Sequence, residues 1–335
     1  MTHTLTICAK TSNYRLKHSL KYCPCILMKV HTLDIDSGDR DPILYPDPGD
    51  YVVHLKNPIY DVSKITLTSA RIHNSQFLIH ERNNTFTINT ASYVETISIP
   101  NGNYDGDELA SNVVQVSDIV DTASYNTYTN DIVFSNLTND FTFAFYGGIH
   151  GYVSSNIYTT PHDVLGFSSN NAHSVNNTLK TGSINVQGVD SFILKLSSGS
   201  DEFNQTVYSD TPFYTGRILA CGDVINHSGA DDVVEHNFVS GTQKTISSIR
   251  VQFYYSSNGR LIPYDFRNAN HVLKLAIACS TDKLENVPKV ERDVSLPPPV
   301  DIPEFEDVQR WDAFVSIFLI VLAGVVMLMM TKKQS

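Results

Sequence analysis

Four aspartates stand close together in DIDSGDRD, residues 34–41. Carboxylates at alternate positions are how a calcium loop presents oxygen ligands, with Gly at its sixth place and a bidentate Glu at its twelfth. Counted from Asp34, Gly38 falls fifth and Tyr45 takes the twelfth place. The segment therefore reads as an acidic turn entering a strand, with Arg40 paired to a neighbouring carboxylate. Twelve histidines invite a metal or proton-transfer reading, but none has the spacing of a helical zinc pair. His54, His73, His80 and His271 fall in strand-like runs, where a satisfied structural His is the ordinary case. Of five cysteines, Cys8, Cys23 and Cys25 lie in the first 27 residues, and Cys23-Pro24-Cys25 is not the C-x-x-C of redox or zinc sites. Cys221 and Cys279 sit in apolar runs and read as reduced core residues. Thr181-Gly182-Ser183 lacks the strand–turn–helix context of a nucleophile elbow, and no phosphate-binding glycine loop ends in Lys. These residues point to no enzyme, no cofactor, no metal and no small-molecule substrate.

The elements around them are mostly strands. The chain has 335 residues, 41% of them hydrophobic, and a net charge of −11, which argues against a nucleic-acid-binding surface. Twenty-six Asn residues and 33 Tyr and Phe suit aromatic strands joined by many polar turns. Short apolar or alternating runs recur at 51–55, 64–72, 76–80, 85–88, 93–99, 131–134, 141–146, 191–196, 216–221, 246–255 and 271–279. Such density predicts a β-sandwich or barrel. Asn258-Gly259 predicts a hairpin turn. Asp105 and Glu108 form a capping-box pattern ahead of Leu109 and Val113, so one short amphipathic helix is expected over the end or flank of a sheet.

The two ends differ from this body. Residues 1–27 are basic, with Lys10, Arg15, Lys17 and Lys21, and read as a disordered arm or an upstream extension, Met28 being the only internal start before the body. Residues 28–285 are the body. Residues 286–310 form an acidic linker in which Pro288, Pro297, Pro298, Pro299 and Pro303 favour extended polyproline II, a reach of roughly 75 Å. This stretch is also a local source of the net negative charge. Residues 311–335 hold the membrane anchor and a short tail. Ala313, Phe314, Ile317, Phe318, Leu319, Ile320 and Val321 begin an uncharged run that continues through Leu322, Gly324, Val325, Val326 and Leu328 to Met330. Its 18 residues span about 27 Å as a helix, close to a bilayer core. Trp311 stands where an interfacial aromatic belongs, with Lys332 and Lys333 as headgroup anchors. Without a signal-peptide pattern at the other end, a tail anchor with a cytosolic body is expected, although the two lysines favour the opposite topology. Five N-x-S/T sequons, at Asn83, Asn136, Asn176, Asn204 and Asn226, read as chance matches in an Asn-rich chain.

Several segments resemble, in order, those of jelly-roll minor capsid proteins of large icosahedral eukaryotic DNA viruses with an internal membrane. DIDSGDRDPILYPDPGDYVVHL (34–55) is similar to that family's opening, and KITLTSARIHNSQFLI with NNTFTI (64–88) to its next strands, though His73 departs from the pattern. ISIPNGNYDGDELASNV (97–113) resembles its strand-to-helix element, Val164-Leu165-Gly166-Phe167 its short turn, and residues 248–277 its closing hairpin. The resemblance covers roughly residues 28–280. It implies an all-β jelly-roll sandwich with one inserted helix, lying in the virion between capsid shell and internal membrane. Implied partners are the major capsid protein, other minor capsid proteins and the lipid bilayer. It carries over no catalytic or ligand-binding residue. Two other readings stay open: a membrane-anchored attachment protein binding a receptor or glycan, and a membrane-tethered glycan hydrolase.

Overall fold

The structure is a computed structural model that describes residues 3–4, 28–152, 157–204, 214–238, 244–280 and 308–331. The chain divides into two units, Met1–Val287 and Pro288–Ser335.

In the first unit, β1 (His3–Thr4), β2 (Met28–Asp36) and β3 (Asp50–His73) open a large sheet. The chain then leaves it for β4 (Thr85–Thr90), β5 (Val94–Ser98), α1 (Gly106–Val116), β6 (Thr122–Asn126), β7 (Asp131–Ser135), β8 (Phe141–Ala144), β9 (Ala172–His173) and β10 (Thr178–Lys180). It returns as β11 (Ser191–Ser198), β12 (Asp201–Glu202), β13 (Gly216–Leu219), β14 (Val224–Ser228), β15 (Val234–Asn237), β16 (Lys244–Ser257), β17 (Arg260–Pro263) and β18 (Val272–Ser280). The large sheet runs β1-β2-β18-β3-β16-β11-β12, with β13 on β11, β14 and β15 on β3, and β17 on β16. Every pairing is antiparallel, as a jelly-roll body requires.

β3 organises this sheet. Its first residues pair with β16, Tyr51 opposite Val251, while its second half lies between β18 and the pair β14/β15. Register shifts against β16 fall between these halves, where Asp61 has φ 58°. A bulged, bent strand of this kind lets one chain segment serve two layers of a sandwich. The layers close on one core containing Ile65, Leu67, Phe192, Leu194, Val251, Phe253, Leu273 and Leu275.

The inserted segment has its own core. Two small sheets, β10-β7-β6 and β5-β4-β8-β9, and the helix α1 enclose Phe86, Phe134, Phe141, Phe143 and Phe145 with Leu109 and Val113. Phe143 makes ring contacts with Phe86, Phe134, Phe141, Phe145 and Phe167 at centroid separations of 5.1–5.8 Å. Such tilted and edge-on aromatic pairs contribute beyond their buried area. The helix forms as its cap predicts: Glu108 N–H donates to Asp105, and Asp105 N–H donates back to Glu108. The body is thus a sandwich carrying an inserted second β module.

Three expectations change. Residues 51–55 and 64–72 are one continuous strand. Residues 76–80 form no strand; only Ile79 makes an isolated bridge, to Gly102, and Leu78 and Ile79 enter the second core instead. Cys221 is exposed, because β13 ends at Leu219 and the chain turns out before reaching it; Cys279 is buried as expected. Of residues 1–27 only His3–Thr4 is described, antiparallel to Lys29–Val30. The linker prolines lie outside the described residues.

The second unit's described part is α2 (Val308–Thr331), which begins three residues before the expected anchor boundary.

Candidate functional site

α2 has 24 residues, and its stretch Asp312–Thr331 has mean hydropathy 2.8. By length and composition it can cross a membrane. Its side chains from Asp312 to Thr331 are exposed all round, including Phe314, Phe318, Leu319, Ile320, Val321 and Leu322. An apolar helix buried in a protein core would be covered; one with an apolar surface on every side suits lipid. Its hydroxyls bond within the helix, Ser316 donating to Asp312 O at 2.8 Å and Thr331 to Leu328 O at 3.0 Å. That spares the lipid phase an unpaired donor. Trp311 lies in the first turn of α2, and Lys332 and Lys333 lie outside the described residues.

In the body, chemistry-bearing residues gather where the two cores meet. The chain crosses this seam at 74–78 and again at 185–191. His80 is buried there with its Nε2 3.1 Å from the Tyr255 hydroxyl, while its Nδ1 accepts from Arg82 N–H. An accepting Nδ1 leaves the proton on Nε2, which donates to Tyr255. Burial lowers the His80 pKa to about 4, so the ring is neutral, and raises that of Tyr255. Beside it the hydroxyls of Tyr152, Thr159 and Ser257 bond one another. Arg260 reaches across from β17 to Gly151 O at 2.9 Å and Tyr158 O at 3.1 Å, its guanidinium 4.2 Å over the Tyr152 ring. These contacts lock the insertion to the sandwich.

A cleft of about 430 Å³ opens along the same seam. Its walls include both crossings, Thr159–Thr160 and Asp163 of the inserted module, and Arg217 of β13. Nothing in the local sequence marks these residues as neighbours.

The acidic turn is built differently from the expectation. Asp36 caps Gly38 N–H and Asp41 caps Ile43 and Leu44 N–H, so both act as turn formers. Among the described residues Arg40 pairs with no carboxylate; it donates to the carbonyls of Ser37, Tyr45 and Pro46 and to the Asn270 side chain. His271 anchors the turn: its carbonyl accepts from Ser37 N–H, its N–H donates to Ser37 Oγ, and its Nε2 lies 3.0 Å from the Tyr51 hydroxyl. Burial lowers its pKa to about 3. Among the described residues no group of three or more His, Cys, Asp or Glu is placed to hold a metal ion. Thr181 of the Thr-Gly-Ser fragment accepts from Ile132 N–H, a structural role.

Charge is uneven. Between Leu78 and Gly188 there are ten Asp and Glu against Arg82 and Lys180 alone. The inserted module, more than the linker, is the source of the net negative charge. At its end away from the seam, Tyr93, Val94, Leu137 and Val175 are exposed around Glu95, Asp121 and Asp140.

No curated protein matches the chain. Among solved structures it is similar to the penton protein of mavirus, at 10% identity and TM-score 0.40, over 76% of this chain and 99% of that one. It is also similar to a chain in the cryo-EM structure of the Sputnik virophage, at 12% identity and TM-score 0.26, over 74% and 97%. Residues 29–234, well over half of the sequence, match the family described as "Family of unknown function (DUF5901)", and the chain belongs to that family.

Proposed function

We propose that the chain is a structural minor capsid protein that tethers an outer icosahedral shell to an internal virion membrane. The observation that carries this reading is α2, a helix apolar on every side and long enough to span a bilayer, in a chain whose other unit is a β body. The ordered resemblances along residues 28–280 support the capsid part. So does the exposed apolar end of the inserted module, a surface of the kind used for protein contacts. In this reading residues 28–285 contact the major capsid protein and other minor capsid proteins, residues 286–310 act as spacer, and residues 311–335 hold the bilayer. In this reading the protein's role is structural rather than catalytic, and α2 holds it in host membranes before assembly.

Cryo-EM of purified virions tests the proposal. Density for the body beneath the capsomers, joined to the bilayer, is expected. A body projecting outward from the particle would favour an attachment protein instead, and absence from virions would end the capsid reading. Alkaline extraction of membranes, with and without residues 311–335, tests the anchor separately: only the full chain should remain in the membrane fraction.

A further inference from the structure

We infer that the cleft between the two β modules is a binding site for a neutral sugar ring. Ligand pockets are commonly 300–1,000 Å³ and mostly apolar. This one, about 430 Å³, is of suitable size for one or two sugar rings but is lined mainly by polar side chains. That lining fits a ligand carrying hydroxyls on most of its atoms.

The polar groups have unequal remaining capacity. Thr159 and Ser257 are already bonded to each other, and Asn185 is spent on Gln187 N–H and Gly188 O. Others are half used. Asn74 accepts from the Tyr264 hydroxyl and Gln76 accepts from Asp265 N–H, so each holds its side-chain carbonyl in place and leaves its NH₂ without a hydrogen bond to the described residues. The Asp190 carboxylate also lacks one, and among the described residues Arg217 has only a distant stacking contact with Tyr214, at 5.9 Å. Fixed amide donors, a carboxylate acceptor and a guanidinium fork are complementary to hydroxyls, each of which both donates and accepts. Leu78 and Val189 line the same cleft and offer an apolar surface to a sugar's C–H face; Phe77 lines it too, with the Arg267 guanidinium over its ring at 3.5 Å. Asp163 and Asp190 against Arg217 leave the walls slightly acidic, which disfavours an acidic sugar.

The site's position gives it a consequence. Both chain crossings between the modules line it, Asn74–Leu78 on one side and Asn185–Ser191 on the other, and Gly188 there has φ 90°. A bound ring would touch both modules and brace the seam.

The inference is independent of membrane tethering and is tested on the full chain, in a detergent without a sugar headgroup. Calorimetry with the methyl glycosides of glucose, galactose, mannose and N-acetylglucosamine should show at least one binding with Kd about 1 mM or tighter. Asp190→Asn and Arg217→Gln should each weaken it tenfold or more, while Leu137→Ser, at the far end of the module, leaves it unchanged. An array of immobilised glycans separates the sources: binding there as well as in solution marks a ring at the end of a macromolecular glycan, binding in solution only marks a free sugar. No binding in either arm by folded protein, checked by circular dichroism, overturns the proposal. So does binding that survives both substitutions, or binding of spermidine or sialic acid in place of the neutral sugars.

Discussion

The Tyr255 hydroxyl lies 3.1 Å from Nε2 of His80, and this buried contact joins the sandwich core to the inserted core. His80 has a neighbour for each ring nitrogen, Arg82 N–H on one side and Tyr255 on the other. Tyr255→Phe keeps the ring packing and leaves the Nε2–H group buried without an acceptor. An unsatisfied buried donor costs about 1–3 kcal/mol. Urea unfolding should show that loss, with the midpoint lowered and the slope unchanged. A second substitution, His80→Leu, removes the orphaned donor, so the double variant should lose less than the sum of the single losses. Strict additivity would mean the contact contributes nothing.

Stability should fall as pH falls from about 7 to about 5, before most carboxylates titrate. His80 and His271 have folded pKa values of about 4 and about 3, against 6.5 when solvated. The unfolded chain therefore binds more protons than the folded one below 6.5, and acidification favours unfolding. The loss continues down to the folded values, at about 1.4 kcal/mol per pH unit for each ring. Above 6.5 both rings are neutral in both states and the dependence flattens. Asp131, Glu202 and Glu235 are held below the usual carboxylate range, chiefly by hydrogen bonds from Lys180, Asn204 and Lys64 respectively, and their contribution is lost only at lower pH. Urea unfolding across this range measures the slope. His271→Gln should reduce it, and an unchanged slope would assign it to other groups.

Local patterns were readable where the cause is local. Asp105 and Glu108 are three residues apart and cap one helix end, and Asn258-Gly259 takes φ 45° and 78°, the left-handed pair that a two-residue hairpin needs. The alternation in β16 likewise follows from one buried face. β3 was harder, because Pro58 reads as a break within a strand. It is accommodated where the register against β16 shifts, at a place that needs no ladder donor. The second core has no local signature, since Phe86, Phe134, Phe143 and Phe167 meet only after the chain has folded. The cleft is the extreme case: Gln76, Asp190 and Arg217 come together through a crossing, a return and a later strand.

The capping box can be tested alone. Asp105→Ala removes the acceptor for Glu108 N–H at the start of α1. Loss of such a cap costs about 0.5–2 kcal/mol. Because Leu109, Ala110 and Val113 are buried in the second core, the loss should appear in global unfolding of the body as well as in helix fraying. Asp105→Asn, which keeps an acceptor, should restore most of it.

Arg260→Lys should loosen the seam although the charge is kept. The guanidinium fork serves several carbonyls around Gly151 and stacks on Tyr152; an ammonium cannot reproduce that planar geometry. Each charge-assisted bond is worth about 1.5–3 kcal/mol. Hydrogen exchange should quicken at residues 146–152 and 157–160 while α1 stays protected. Equal exchange in both segments would show that the remaining seam contacts suffice.

A charge placed in the middle of α2 should weaken membrane insertion by a predictable amount. Ile320 lies near the centre of Asp312–Thr331 and is exposed. An arginine at the centre of a membrane-spanning helix costs about 2.5–3.5 kcal/mol on the insertion scale. Ile320→Arg should therefore shift a substantial fraction of the protein out of the alkali-resistant membrane fraction, whereas Ile320→Ala shifts little. Moving the same arginine to Ala313, nearer the interface where a long side chain can reach headgroups, should restore much of the retention. That depth dependence is specific to a helix surrounded by lipid. If α2 instead packed against protein, the response would follow helix face, and neighbouring positions at similar depth would differ more than central and terminal ones.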